Sequence, residues 1–327
     1  MILAGDVGGT KTVLGLFDAQ GDHLREVRSE TYASREHQSL EEILALFLKG
    51  EGARQVQAAC FGVAGPVIQG QSRTTNLPWH LEEKDLGKVL GDARAKLLND
   101  LEAMAFGMLY LRPEELCVLN PGTRPGRQGN IAVIAAGTGL GEAMLYWDGE
   151  RHHPLASEGG HADFAPRTDQ EIELLRYLRA RLGGRVSYER VLSGPGLFNI
   201  YSFLRETGKT PEPSWLTEQV KSGDPNAVVT QVGLARKDPV AREALELFGS
   251  IYGAEAGNLA LKCMALGGVF VGGGIAPRIL PVLQGGTFMG SLVDKGRLAD
   301  LLKSLEVSVD LNPRTPLIGA AHYGLRL

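Results

Sequence analysis

Two stretches of the 327-residue chain combine glycine, threonine and an exposed backbone in the way that binding a phosphate requires. Asp6-Val7-Gly8-Gly9-Thr10-Lys11-Thr12 ends a short apolar run with a carboxylate, two adjacent glycines, two threonines and a lysine. Without side chains at Gly8 and Gly9 the amides can approach an anion closely. Gly137-Thr138-Gly139-Leu140-Gly141 repeats the theme further along. Proton-transfer and hydroxyl-binding groups stand at Asn99-Asp100, at Ser157-Glu158-Gly159-Gly160-His161 and at Glu189. Asp100 can accept a proton from a hydroxyl as it attacks. Asn99, Glu158 and Glu189 are short or planar acceptors suited to adjacent hydroxyl pairs, and His161 can donate to one. Glu158 and His161 flank two glycines, so both can aim at one small polar ligand while the backbone comes close.

The elements around these residues set their context. After the first loop the chain continues as Val13 to Asp18, turns at Ala19 to Asp22 and runs extended again, which reads as strand, tight loop, strand. From Gly5 a Walker A loop would need a glycine where Thr10 stands, and it would have to open a helix. The second loop lies between an apolar strand, Asn130 to Ala136, and an extended return over Ala143 to Trp147. Two such hairpins are what a duplicated core predicts, one phosphate loop from each half clasping a nucleotide. An aspartate-led phosphate loop inside a hairpin resembles the first phosphate motif of the actin-like ATPase superfamily.

Ser39 to Lys49 has helical spacing, with Leu40, Ile43, Leu44, Phe47 and Leu48 on one face and Ser39 with Glu42 as cap. Val56 to Ala64 is a continuous apolar strand buried on both faces. Val67 to Pro78, which contains Asn76, is polar and turn-rich: a loop reaching a cleft, or a plain surface excursion. A helix over Leu81 to Leu90 and a strand over Ala95 to Leu98 lead to Asn99-Asp100 and a helix over Leu101 to Leu109. Asn99 with Glu102 also has capping-box spacing, so a cap is the competing role. Thr168 to Leu182 is a helix whose stripe is Ile172, Leu175, Leu178 and Leu182. A helical stretch from Ser187 breaks at Gly194-Pro195 and resumes to about Arg205. Glu189 could equally be a solvated first-turn carboxylate. Gly208 to Asp224 is a surface excursion around one short helix, and Pro225 to Leu266 is helical with a break near Asp238-Pro239. Gly267 to Ala276 is a strand ending in Gly272-Gly273-Gly274, where a flat group such as adenine could lie on backbone, before a helix start at Pro277. A structural turn is the other reading. A strand over Val307 to Leu311 and a helix over Leu317 to Leu325 follow.

Bulk properties narrow the class. The length suffices for two cores. A net charge of −4 without a Lys/Arg run gives no electrostatic reason to expect nucleic acid or membrane. The 43 glycines exceed the usual share of roughly 7% and gather at strand ends. Cys60, Cys117 and Cys263 are scattered, which predicts buried reduced thiols and no zinc site. A metal site from His152, His153, His161 and Glu158 is disfavoured, because adjacent histidines on a strand face opposite ways. No signal peptide or spanning segment is evident, so a cytoplasmic enzyme is expected.

Taken together, Asp6-Val7-Gly8-Gly9-Thr10-Lys11-Thr12, Leu97-Leu98-Asn99-Asp100, Gly137 to Gly141, Ser157 to His161, Glu189-Arg190-Val191-Leu192-Ser193-Gly194 and Gly272-Gly273-Gly274-Ile275 resemble, in order and spacing, the bacterial ATP-dependent glucokinases. The similarity covers essentially the whole chain, and it is to the branch without the zinc-binding cysteine cluster. The resemblance implies an α/β, two-domain actin-like ATPase (ribonuclease H-like) fold with an interdomain cleft. Residues 1–110 with about 305–327 would form the small domain and 111–304 the large one. It implies phosphorylation of glucose at the 6-hydroxyl to glucose 6-phosphate and ADP, feeding glycolysis, by a homodimer. Asn99, Asp100, Glu158, His161 and Glu189, with Asn76 adjoining, would bind the sugar, and Asp100 would be the base. ATP would meet Asp6, Gly8, Gly9, Thr10, Lys11, Gly137, Thr138, Gly139 and Gly272 to Gly274, with Mg²⁺ partnered by Asp6 through water. Glu142 departs from the pattern, which has a small residue after the second loop, and is expected to face away from the phosphates. The alternatives are a kinase for another hexose such as fructose or mannose, a non-enzymatic sugar-responsive regulator, and a chaperone-type or filament ATPase. The regulator would usually add a helix-turn-helix, and the phosphate loop starts at residue 5; the ATPase would not need Asn99-Asp100 and Glu158 to His161.

Overall fold

Strand β1 (Ile2–Val7) pairs antiparallel with β2 (Lys11–Gln20), so Gly8, Gly9 and Thr10 are the turn of a hairpin, and β3 (His23–Ala33) extends it. The structure is a computed structural model that describes residues 1–21, 23–49, 56–74, 77–123, 128–208 and 210–327. Helix α1 (Leu40–Phe47) starts where Ser39 Oγ accepts the Glu42 N–H at 3.3 Å. It buries Leu40, Ile43, Leu44 and Phe47, the face its spacing predicts, each contributing about 1.5–3 kcal/mol. Strand β4 (Ala58–Val63) is buried throughout. Val67 to Pro78, read from sequence as a loop, contains β5 (Val67–Ile68) and β6 (Gln71–Arg73), which form a small antiparallel sheet with β7 (His80–Glu82), two of whose residues the sequence reading gave to the following helix. Strands this short carry no alternation to read. Asn76 lies outside the described residues.

Helix α2 (Glu83–Val89), strand β8 (Arg94–Asn99) and helix α3 (Asp100–Gly107) follow. The sheet order is β3-β2-β1-β4-β8, with β1, β4 and β8 parallel. Alternation divides its residues between two cores. Leu3, Ala59 and Phe61 pack with α1, whereas Ile2, Ala4, Ala58 and Cys60 pack with Ala103 and the C-terminal helix.

The chain continues through β9 (Leu116–Asn120), β10 (Ile131–Ala136), β11 (Leu140–Trp147) and β12 (His152–Ala156). Helices α4 (Asp169–Leu182), α5 (Gly194–Thr207), α6 (Ser214–Ser222), α7 (Pro225–Leu234) and α8 (Pro239–Cys263) come next. Strand β13 (Gly268–Gly272), helices α9 (Leu280–Gln284), α10 (Thr287–Val293) and α11 (Ala299–Lys303), strand β14 (Val307–Asp310) and helix α12 (Thr315–Leu325) complete it. One compact unit comprises Met1–Glu115, Arg151–Ala156 and Asn312–Leu327; the other comprises Leu116–Glu150 and Ser157–Leu311. In the second unit the strands run β11-β10-β13-β14-β9, with β10, β13 and β14 parallel.

Three local expectations are corrected. Helix α4 buries Glu171, Leu174 and Leu178 and leaves Ile172 and Leu182 exposed. Its phase is set by Glu171, whose buried carboxylate takes the Arg167 N–H at 2.6 Å and the guanidinium at 3.0 Å. Gly194-Pro195 opens α5 instead of breaking a helix, because Ser193 Oγ accepts the Gly196 N–H at 3.0 Å and proline suits a first turn. No helix begins at Pro277; turns carry the chain to Leu280. Of the cysteines, Cys60 and Cys263 are buried and Cys117 is partly exposed. Among the described residues no helix is long and apolar enough to cross a membrane.

Candidate active site

In the first unit the register aligns the carboxyl ends of the parallel strands: Val7 pairs with Val63, and Val63 with Asn99. Such ends are where open α/β sheets place ligands. Asp6 and the Gly8 to Thr10 turn therefore lie at the same sheet edge as Asn99 and Asp100. Burial pushes the Asp6 carboxyl up, and Lys11 opposes that by drawing it down. The turn is tied by Gly8 N–H to the Lys11 carbonyl at 3.0 Å. Ser34, which sequence reading passed over, pins it further. The Ser34 N–H donates to the Thr10 carbonyl at 3.1 Å and its hydroxyl to the Gly8 carbonyl at 2.8 Å, with Thr12 Oγ1 3.0 Å away. A serine after an edge strand gives no signal of this.

Asn99 is the N-cap of α3. Its Oδ1 accepts the Leu101 N–H at 2.9 Å, its N–H donates to Glu102 Oε2 at 2.9 Å, and its Nδ2 donates to the Gly65 carbonyl at 3.1 Å. The cap orients the helix, and with it Asp100, the first helical residue. Asp100 Oδ1 also accepts the Leu101 N–H, at 2.9 Å.

The second unit repeats the arrangement. The Gly137 to Gly139 turn joins β10 to β11, closed by Gly137 N–H to the Gly139 carbonyl at 2.8 Å. Ala135 pairs with Gly272, so the third glycine group lies beside this turn. Gly273 has φ +81°, and a β-carbon there would collide with the Ala136 carbonyl, so only glycine fits. Tyr252, unforeseen from sequence, ties these strand ends. Its hydroxyl accepts the Ala136 N–H at 3.1 Å and lies 3.4 Å from the Gly272 carbonyl oxygen. A cavity of about 620 Å³, a size typical of small-molecule sites, opens beside Gly137, Thr138, Gly194, Asn226, Gly274 and Ile275. Its α7 wall had no sequence signal, since Asn226 reads only as a helix start.

The candidate sugar residues of this unit are joined to the same turn. Glu189 Oε2 accepts the Leu140 N–H at 3.1 Å, and a β-carbon at Gly139 would meet that carboxylate oxygen at 2.5 Å. Gly194 N–H donates to the Gly137 carbonyl at 2.9 Å. Glu158 and His161 are exposed at the ends of a 3-10 turn, with His161 N–H on the Glu158 carbonyl at 3.0 Å. Tyr188 N–H to the Ala162 carbonyl at 2.9 Å joins that turn to the segment carrying Glu189. The structure thus brings Glu158, His161, Glu189 and the Gly137 to Gly139 turn together. Glu142 lies under this group, buried against Gly159.

Two α/β units, each with an aspartate-side or glycine-side hairpin at the carboxyl ends of its central parallel strands, define the actin-like ATPase fold of sugar kinases. Comparison with known families makes this particular: the glucokinase family model matches residues 3–326, and the chain belongs to that family. It is 40% identical to the glucokinase of Nostoc punctiforme over 342 aligned positions, covering 100% of this chain and 99% of that one. A glucokinase crystal structure from an Antarctic psychrotroph superposes with TM-score 0.87 at 30% identity, covering 100% of this chain and 99% of that one. The ROK family glucokinase of Streptomyces griseus, solved in complex with glucose and AMPPNP, shares the fold with TM-score 0.65 at 19% identity, over 100% and 99% of the two chains.

Proposed function

We infer that the chain transfers the γ-phosphoryl group of ATP to the 6-hydroxyl of glucose, giving glucose 6-phosphate and ADP. The observation that carries this, beside the family, is the grouping of Glu158, His161 and Glu189 around a glycine turn that borders a nucleotide-sized cavity. The base and ribose of ATP occupy that cavity against Gly274 and Ile275. The amides of Gly8 to Thr10 and Gly137 to Gly139 meet its phosphates. Glucose is held by Asn99, Asp100, Glu158, His161 and Glu189, with Asn76 nearby. The 6-hydroxyl oxygen attacks the γ-phosphorus, its proton passes to Asp100, and ADP leaves. Because the transition state is loose, positioning and charge stabilisation do most of the work.

Among the described residues no three His, Cys, Asp or Glu side chains cluster as metal ligands. A partly buried carboxylate at Asp6 fits Mg²⁺, which is commonly held by one or two carboxylates, substrate phosphates and water. When bound, Mg²⁺ neutralises phosphate charge. By family resemblance the enzyme is a cytoplasmic homodimer.

A coupled ADP-release assay across glucose, fructose and mannose tests the reading: kcat/KM for glucose should exceed the others by at least about tenfold. A preference for another hexose would move the chain to the neighbouring specificity, and no turnover with any of them would reject the kinase reading. Ser34→Ala should raise KM for ATP about 5- to 10-fold with little change in KM for glucose, since it frees the Gly8 carbonyl and loosens the first turn. Equal shifts in both constants would detach Ser34 from the phosphate loop.

A further inference from the structure

We propose that Glu142 is a positioning residue of the sugar site, supporting the Glu158 to His161 turn from beneath as one member of a buried carboxyl pair with Glu255. The inference rests on the glucokinase reading for the ligand, though not for the pair itself.

Glu142, on β11, is 1% exposed, and Glu255, on α8, is 0% exposed. The two carboxyls lie close enough to interact electrostatically, and Glu142 Oε1 is buried without a hydrogen-bond partner. A β-carbon at Gly159 would collide with Glu142 Oε2, so the turn's backbone rests directly on this carboxyl. Glu255 is fully engaged elsewhere. Asn258 Nδ2 donates to its Oε2 at 2.8 Å and to the Tyr188 hydroxyl at 3.2 Å, and Lys262 Nζ lies 3.3 Å from its Oε1. Tyr188 precedes Glu189, so the pair supports both sugar-side segments.

Burial and a second buried carboxyl nearby both disfavour the ionised form of Glu142. Lys262 faces Glu255 from α8, and Lys295 reaches the same cluster through Asn258 Oδ1 at 2.6 Å. The other titratable neighbours, Tyr252 on α8 and Tyr188, stay neutral, because burial pushes both phenols up. Glu142 therefore holds the proton. A neutral carboxyl also lowers the cost of the unpartnered Oε1. Burial first, and Glu255 second, raise the Glu142 carboxyl from its ordinary range to about 7. The sign follows. Below the unfolded value the acid is protonated in both states and its support is complete. That support is lost as pH rises through about 7, when the proton must leave a site that holds a second buried carboxyl.

The test uses the full chain and the variants E142Q and E142A. KM for glucose in the wild type should rise about 5- to 10-fold from about pH 6 to about pH 8 with a smaller change in kcat. E142Q keeps a hydrogen-bond donor but cannot ionise, so its KM should stay flat over that range. E142A should raise KM at both pH values and speed amide exchange at residues 157–161. A wild-type KM that does not move, or one that moves equally in E142Q, overturns the proposal. Should E142A fail to fold, the E142Q comparison decides alone. If the wild type shows no glucose turnover, the kinase reading fails instead. Exchange at residues 157–161 across the same pH range, faster at high pH in the wild type and constant in E142Q, then still decides for the pair, and equal behaviour decides against it.

Discussion

Asp100→Asn is expected to lower kcat for glucose phosphorylation by about 10²- to 10⁴-fold while leaving KM for glucose within about threefold. That loss is roughly 3–5 kcal/mol of transition-state stabilisation. In the proposed mechanism the substitution removes the proton acceptor while leaving the helix start in place. Helix α3 keeps its cap, because the capping oxygen and the reciprocal Glu102 contact belong to Asn99. An amide oxygen at position 100 can still take the Leu101 N–H that Asp100 Oδ1 now accepts. Circular dichroism and the thermal midpoint should therefore match the wild type. Steady-state kinetics with saturating ATP makes the measurement. A kcat within a few-fold of wild type would reduce Asp100 to a residue of the helix start.

The largest expected effect on stability comes from Gly319→Val. Gly319 lies on α12 where that helix crosses α3, and a β-carbon there would overlap the Ala103 carbonyl oxygen and stand 2.6 Å from the Gly107 nitrogen. Gly107 has the reciprocal constraint, its own β-carbon position being taken by the Thr315 carbonyl. Backbone meets backbone, so no side chain can turn aside. Overpacking of this kind costs about 3 kcal/mol or more. At about 2–4 °C per kcal/mol the first unit should melt roughly 6–12 °C lower. Gly290→Ala is the control, because a β-carbon there meets nothing within 4 Å. Differential scanning calorimetry of the two variants separates the outcomes; equal midpoints would mean the helices can part without cost.

The glycine turns were legible as hairpin turns, because an apolar run, a glycine-rich break and an extended return leave little else for the chain to form. The apolar faces of α1 and β4 were legible for the same kind of reason, since burial and periodicity coincide there. Asn99 shows where sequence stops. Its spacing to Glu102 allowed a cap or a ligand role, and the structure makes it the cap that aims Asp100. Helix α4 was read one residue out of phase because a buried glutamate, neutralised by Arg167, occupies a position that periodicity reserves for an apolar side chain. The wall of the cavity on α7 and the bracing serine at position 34 were hidden by distance along the chain. Their residue types are ordinary, and only the fold gives them a site to belong to.

Helix α12 also fixes when, during synthesis, the first unit can become complete. The strands β1, β4 and β8 and helix α3 emerge early, but Leu317 and Ala320 cover Ile2, Ala4 and Cys60 only once the last helix has left the ribosome. At the usual pace of translation, roughly 10–40 s separate Gly107 from the helix it crosses. The second unit draws on Leu116–Glu150 and Ser157–Leu311, all of which precede α12 in the chain, so its sheet and helices can settle first. A nascent chain halted before Thr315 would thus carry a formed cavity at Gly137 and Asn226 in the second unit and a half-covered sheet in the first, with the helix that bears Asp100 still lacking its brace.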